Sequence, residues 1–266
     1  TRLRAILANH ATVLCCTPTY AIRMGETARA HGLNLGSAAV KRLIVAGEPG
    51  GSVPAVRERI ERLWPTASVF DHHGMTEVGP VTFECPRRPG VLHVNESMYL
   101  CELVDPPMGA PLDPRDGAQG ELVITTLGRT GSPVLRYRTG DIVACEADSA
   151  RACGRHTMRF VGGIIGRGDD MVVVRGTNLY PSALDAIIGR FDNIVEYRAE
   201  VGQRDGMTEL SLIIEPAQSV ADRQALCEEL EQAIREAWSL RVPVRWAPPG
   251  ELPQFELKSR RWVSLD

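Results

Sequence analysis

The chain has 266 residues, of which 44% are hydrophobic, 24% charged and 5% aromatic, so it can build an ordinary core and is too apolar for a disordered chain. At roughly 150 residues per domain this length predicts about two domains. A net charge of −3 gives no bulk support for nucleic acid binding, and the longest uncharged stretch near the start, Ala11 to Ile22, holds Pro18 and falls short of the ~20 apolar residues of a membrane span.

The chain opens in what reads as the end of a helix. Thr12 to Cys16 predicts a strand, Pro18 a helix start running to about Ala30, and Arg42 to Ala46 a second strand. A Gly-rich turn follows, Pro54 starts another helix, and Ala67 to Asp71 predicts a third strand. Strands and helices alternating with short links predict a parallel α/β sheet. From residue 81 to 168 the character changes. Tyr99 to Val104, Glu121 to Leu127, Ile142 to Glu146 and Met158 to Val161 read as strands between Pro, Gly and Asp clusters, which predicts a mostly antiparallel region. The Gly-rich run Gly162 to Asp170 is taken as the domain boundary. Beyond it come a strand at Met171 to Arg175, a helix from Pro181, strands at Glu196 to Val201 and Leu210 to Ile214, a helix over Val220 to Trp238 with Leu226, Leu230 and Ile234 on one stripe, and a last strand at Val242 to Trp246. The expected fold is α/β: a doubly wound sheet remnant plus a β-rich subdomain over residues 1–168, then a small ferredoxin-like α+β domain over 169–266.

Four stretches carry chemistry. Gly47-Glu48-Pro49 follows a strand, where a doubly wound sheet puts its ligand crevice. Gly74-Met75-Thr76-Glu77 follows the next, with a glycine for close backbone approach, a hydroxyl for a phosphate oxygen and a carboxylate for Mg²⁺. Tyr137-Arg138-Thr139-Gly140-Asp141 ends in a carboxylate that can accept both hydroxyls of a ribose. Gly166-Arg167-Gly168-Asp169-Asp170, with Arg175-Gly176, puts a cation at the boundary. Taken singly, these stretches read as an ordinary tight turn, a histidine loop, a turn aspartate and a flexible linker.

In this order and at these spacings they resemble the adenylate-forming superfamily of acyl- and aryl-CoA synthetases, and specifically its phenylacetate-CoA ligase family. Further marks are Thr17-Pro18-Thr19-Tyr20, Leu135-Arg136, Cys153-Gly154-Arg155 and the tail Leu252-Pro253-Gln254-Phe255-Glu256-Leu257-Lys258. The resemblance covers essentially the whole chain. It implies an ATP-dependent aryl acid:CoA ligase acting through an acyl-adenylate, with ATP/Mg²⁺, CoA and a small aryl acid as substrates. It implies nucleotide binding by Gly47, Glu48, Pro49, Asp71, His73, Gly74, Thr76, Asp141 and Arg167, with Glu77 on Mg²⁺. His73 stands where the family usually has an aromatic that packs on adenine. His72 and Gly74 are expected in the acyl pocket, and Asp169 is expected as the hinge. Lys258, together with Thr76 and Glu77, is expected to serve catalysis by stabilising charge at the α-phosphate. Alternative acceptors of the acyl group are a carrier-protein thiol or an amine; a non-catalytic nucleotide-binding module is the alternative outside catalysis.

Seven cysteines, an odd count with no signal-peptide pattern, predict reduced thiols and a cytoplasmic location. Cys85, His93 and Cys153 are candidate ligands of a structural Zn²⁺, with Cys145 as a fourth by position. Relatives carry a Cys-x-Cys-Gly-Arg pair here, and this chain has Arg151 in place of the first cysteine. No Ser/Thr/Gly-rich phosphate loop precedes Gly47. The nearest lookalike, Thr125 to Ser132, lies downstream of it and no helix follows, so the chain is read as the C-terminal part of a longer enzyme. Its expected partners are that missing N-terminal segment and, by self-association, a homodimer; neither nucleic acid nor membrane is expected.

Overall fold

Proline and polar caps set the helix starts. In a computed structural model, which describes residues 2–115, 117–146, 153–204, 207–253 and 260–265, α1 (Arg2–Ala8) leads to β1 (Val13–Cys16). Pro18 then supplies a preset φ to α2 (Pro18–Ala30), and the Thr17 hydroxyl accepts from the Tyr20 amide at 3.2 Å. β2 (Arg42–Val45), α3 (Pro54–Leu63) and β3 (Ser68–Asp71) follow, and the three strands form a parallel sheet in chain order. Cys16, Val45 and Asp71 lie in one row, so all three strands end at the same edge. Val56, Ile60 and Leu63 form the buried stripe of α3. Gly25 lets α2 and α3 close, because a Cβ there would sit 2.6 Å from Leu63 Cβ. Leu43, Val45 and Val69 join these helices in one core.

A small hairpin, β4 (Gly74–Met75) and β5 (Gly79–Pro80), comes next. Then β6 (Thr82–Cys85), β7 (Arg88–Val94), β8 (Tyr99–Val104), β9 (Pro111–Leu112), β10 (Gln119–Thr126), β11 (Tyr137–Glu146) and β12 (Arg159–Arg167) build a seven-stranded antiparallel sheet. Its order is β6-β7-β12-β11-β10-β8-β9. Two strands run longer than their sequence predicts. Asp141, expected at a strand end, lies inside β11, and Gly162 to Arg167, expected as a linker, continues β12. Both misreadings have one cause. The ladder shifts register at Thr139-Gly140-Asp141 and again at Gly162-Gly163, where glycines with φ of +76°, +77° and +69° absorb the extra residues of bulges.

The chain separates into two compact units, Thr1–Asp170 and Met171–Asp266. In the second, β13 (Val172–Val174) and β14 (Thr177–Leu179) form a hairpin turning at Gly176, with φ +82°. α4 (Pro181–Ile188), β15 (Ile194–Arg204), β16 (Met207–Pro216), α5 (Arg223–Trp238), β17 (Val244–Trp246) and β18 (Trp262–Ser264) follow. The sheet order is β17-β16-β15-β18. The small α+β unit is thus present, but the strand expected first, Met171 to Arg175, pairs outside the sheet. An unforeseen strand, β18, fills its edge, so Val242 to Trp246 is not the last strand. Arg261 pins that edge: its guanidinium meets Glu196 at 2.5 Å and lies 5.1 Å from the Tyr197 ring centroid. Among the described residues no helix is long and apolar enough to cross a membrane.

Candidate functional site

The parallel sheet sends three turns off one edge, after Cys16, Val45 and Asp71. Gly47 is exposed with φ +93°, which suits a backbone that turns sharply at a strand end. The Glu48 carboxylate accepts from the Thr19 amide at 2.7 Å, an anion at the positive end of α2. Glu48 therefore ties this turn to α2, and Pro49 beside it is half-buried.

Asp71, expected at the nucleotide, ends β3. Its side chain turns inward, where the Ser52 hydroxyl donates to Oδ2 at 2.6 Å. A Cβ on Gly51 would lie 2.5 Å from its Cγ, and one on Gly163 3.2 Å from Oδ2. Burial pushes this carboxyl up to about 6, against the lowering effect of Ser52. Next to it, Arg57 donates to Gly51 O at 2.9 Å, to Val69 O, and to both oxygens of Glu84 at 2.6 and 2.8 Å. The sequence reading misses Ser52, Arg57 and Glu84. The usable signal is two opposite charges at core-facing positions, one beside Val56 in α3 and one between Phe83 and Cys85 in β6.

His73 leaves β3 on a fixed backbone. Its amide donates to Thr82 Oγ1 at 2.8 Å, and its carbonyl accepts from Val81 and Thr82 at 2.9 and 3.1 Å. Burial pulls the His72 imidazole below its usual range, against the raising effect of a backbone hydrogen bond with His73. Gly74 is required by its own hairpin, since a Cβ would meet Gly79 O at 2.8 Å. The hairpin tip exposes Thr76 and Glu77, while buried Val78 anchors it through a 2.7 Å bond from the Tyr99 hydroxyl.

Asp141 rides on the β11 bulge. Thr139 Oγ1 accepts from the Asp141 amide at 3.0 Å, and Glu121, buried on β10, accepts from the Gly140 amide at 3.1 Å. His73 Nε2 meets Asp141 Oδ2 at 2.9 Å, and Arg167 Nη1 lies 3.5 Å from Oδ1. Arg167 also forks onto Asp169 at 2.9 and 3.1 Å, which holds the Asp169 carboxyl below its usual range. The structure thus joins His73, Asp141, Arg167 and Asp169 in one chain of contacts. Lys258 and Arg151 lie outside the described residues. In the rejected lookalike loop, Thr125 Oγ1 accepts from the Arg136 amide at 2.9 Å and Thr126 Oγ1 from Val134 at 3.1 Å, so both hydroxyls secure a loop.

The thiol cluster is real in part. The ligand atoms of Cys85, His93 and Cys153 all lie within 4.8 Å of one another, with His93 Nε2 at 3.4 Å from Cys153 Sγ. Thr157 Oγ1 holds the other ring nitrogen at 3.0 Å, the outer contact that orients a ligating imidazole. Burial and nearby arginines pull His93 below its usual range, and the Arg155 backbone N–H lowers the Cys153 thiol. Neutral imidazole and thiolate are the forms that bind Zn²⁺, so three ligands fit. Cys145 does not join them. It packs in the apolar core of the antiparallel sheet, where burial pushes its thiol to about 12.

A parallel-sheet edge with an acid on a facing bulge suits a nucleoside. A family model described as AMP-binding enzyme C-terminal domain matches residues 176–265. The chain belongs to the adenylate-forming superfamily. Within it, the chain is similar to proteins named phenylacetate-coenzyme A ligase: 31% identical over 274 residues to one from Thermus thermophilus and 32% over 263 residues to one from Escherichia coli. Each match takes in 95% of this chain, and 60% and 58% of those proteins. A crystal structure of 2-hydroxyisobutyryl-CoA ligase in the postadenylation state superposes with a TM-score of 0.91 at 30% identity, over 99% of this chain and 56% of that one. The chain therefore spans less than two thirds of the length of these relatives.

Proposed function

We propose that this chain carries the nucleoside-binding part of an ATP-dependent acid:CoA ligase. A substrate carboxylate oxygen attacks the α-phosphorus of ATP and pyrophosphate leaves. The CoA sulfur then attacks the acyl carbon of the adenylate and AMP leaves. The observation that carries this reading is the Asp141 carboxylate, held by His73 and Arg167 on a bulge, in a chain of this family. Asp141 takes the ribose hydroxyls and the Gly47 to Pro49 turn lines the adenine pocket. Thr76 meets a phosphate oxygen and Glu77 meets Mg²⁺. His72 and Gly74 face the acid, Asp169 is the hinge, and Lys258 stabilises charge at the α-phosphate. The similarity to phenylacetate-coenzyme A ligases favours an aryl acid. The similarity to a 2-hydroxyisobutyryl-CoA ligase favours a second reading, a short hydroxy acid. An odd set of free thiols favours a reducing, cytoplasmic setting.

No stretch of residues 1–266 reads as a phosphate loop, so this chain alone is expected to bind AMP better than it turns over ATP. The test is pyrophosphate release with phenylacetate, benzoate and 2-hydroxyisobutyrate, for this chain and for a version extended at its N-terminus. Release only from the extended version supports the reading. Absence of release from both, with folded protein, overturns it. We also propose that Cys85, His93 and Cys153 hold a structural Zn²⁺ that ties β6, β7 and the segment before β12. Metal analysis of protein prepared without chelator should give close to one zinc per chain, and Cys153→Ser should lower both zinc content and Tm. Metal-free protein of unchanged Tm removes this site.

A further inference from the structure

Asp141 and His73 stand 68 residues apart and meet at 2.9 Å. A carboxylate can accept only if its partner donates, so the hydrogen sits on Nε2 and Nδ1 carries a lone pair. Nδ1 is buried with no hydrogen-bond partner among the described residues, which suits a ring nitrogen without a hydrogen better than one with. The ring has no freedom to leave. Three backbone hydrogen bonds fix its residue, and the side chain is 7% exposed.

A carboxylate offers about four acceptor positions, two on each oxygen. His73 takes one on Oδ2, and Arg167, at 3.5 Å, faces one on Oδ1. One position remains on each oxygen, and the side chain keeps 13% of its surface open. Two acceptors on two oxygens of one fixed carboxylate match two adjacent hydroxyls. Without the imidazole, the carboxylate could turn about its last bond toward Arg167, and both oxygens would lose that placement.

We propose that His73 is a positioning residue for a vicinal diol: its Nε2–H fixes the Asp141 carboxylate so that both oxygens accept from the ribose 2′- and 3′-hydroxyls. This rests on the nucleoside-binding reading above and adds a role for the imidazole in place of the family's aromatic. His73 then serves the sugar through Asp141, not the base by stacking.

The test compares AMP with 2′,3′-dideoxy-AMP by calorimetric titration, in wild type, His73→Phe and His73→Gln. Wild type should prefer AMP by at least about tenfold, the scale of hydrogen bonds to a charged group. His73→Phe keeps a ring but no donor, and should lose most of that preference, read as the ratio of the two affinities so that a change in contact with the base, common to both nucleotides, cancels. His73→Gln puts an amide N–H near the same place and should regain part of the preference. An unchanged preference in His73→Phe overturns the proposal and leaves the nucleoside reading standing. A wild type that binds both nucleotides equally, or neither, defeats the nucleoside reading and the proposal with it. A second measurement needs neither ligand nor a His73 variant. Histidine ¹⁵N shifts should report the Nε2–H tautomer at His73 and change in Asp141→Asn; an Nδ1–H tautomer in wild type overturns the proposal.

Discussion

Asp71 and Asp141 are both acidic residues on strands of the same unit, and both fall in or next to recognisable motifs, yet the fold treats them in opposite ways. Asp71 faces inward, where Ser52 bonds one oxygen and the Gly51 and Gly163 backbones close on it. Beside it, Arg57 and Glu84 satisfy each other and the Gly51, Val69 and Gly90 backbone. Asp71 Oδ2 and both Glu84 oxygens are thereby engaged within the fold. Asp141 instead sits on a bulge, with one firm partner, one distant one and part of its surface open. A carboxylate closed in by packed backbone holds structure together, whereas a fixed one that keeps open surface can bind. Motif membership alone does not separate the two, and enclosure by the surrounding backbone does.

The largest effect should come from breaking the enclosed cluster. Arg57 and Glu84 are 12% and 4% exposed, so removing one leaves the other charged and buried. Arg57→Ala should cost about 3–5 kcal/mol by urea denaturation, the range for one-sided loss of a buried pair. A loss below about 1 kcal/mol would mean that water reaches Glu84 and that the cluster is not closed.

Asp71 sharpens the comparison through pH. Its carboxyl rises from its ordinary 3.8 to about 6 on folding, chiefly through burial. The folded chain then holds more protons than the unfolded one between those values, so this group's contribution is fully present below about pH 4 and lost as pH rises through 6. The expected size is about 3 kcal/mol over that window. Asp71→Asn keeps an acceptor for Ser52 and removes the titration. Its stability should decline less than wild type from pH 4 to 7, and the two profiles should draw together toward pH 4 and below. Parallel profiles would show that Asp71 does not titrate there. Asp141→Asn should behave differently. Its stability should change by about 1 kcal/mol or less, the scale of one hydrogen bond, while AMP affinity falls about tenfold or more. A large stability loss without an affinity change would make Asp141 a second structural acid.

Much of this architecture is legible in the chain because it depends on local signals. Pro18, Pro54 and Pro181 mark helix starts, and strand–helix alternation marks the parallel sheet. The errors arise where glycine serves a tertiary purpose. Gly140, Gly162 and Gly163 look like turns and linkers, but they are bulges whose meaning depends on the facing strand. Asp71 looks like Asp141 until the Gly51 backbone closes on it. Cys145 sits in the same segment as Cys153, but its place on β11 points it into the apolar core. The His73–Asp141 contact joins residues 68 positions apart, and no local pattern carries it.

The smallest effect should come from the outer end of the contact chain. Arg167 and Asp169 form a two-bond fork, yet their side chains are 46% and 67% exposed. Water competes for both groups and salt screens them, so an exposed pair of this kind contributes about 0–1 kcal/mol. The Asp169 carboxyl lies below its ordinary range because of Arg167, so whatever stability it gives is present at neutral pH and lost as pH falls through that depressed value. Asp169→Asn should therefore change stability by less than about 1 kcal/mol at neutral pH, with the difference shrinking in acid and at high salt. Denaturation at low and high ionic strength, at pH 7 and pH 3, measures all three. A loss above about 2 kcal/mol that survives high salt would place this fork with the Arg57 cluster, and exposure would no longer separate the two kinds of carboxylate.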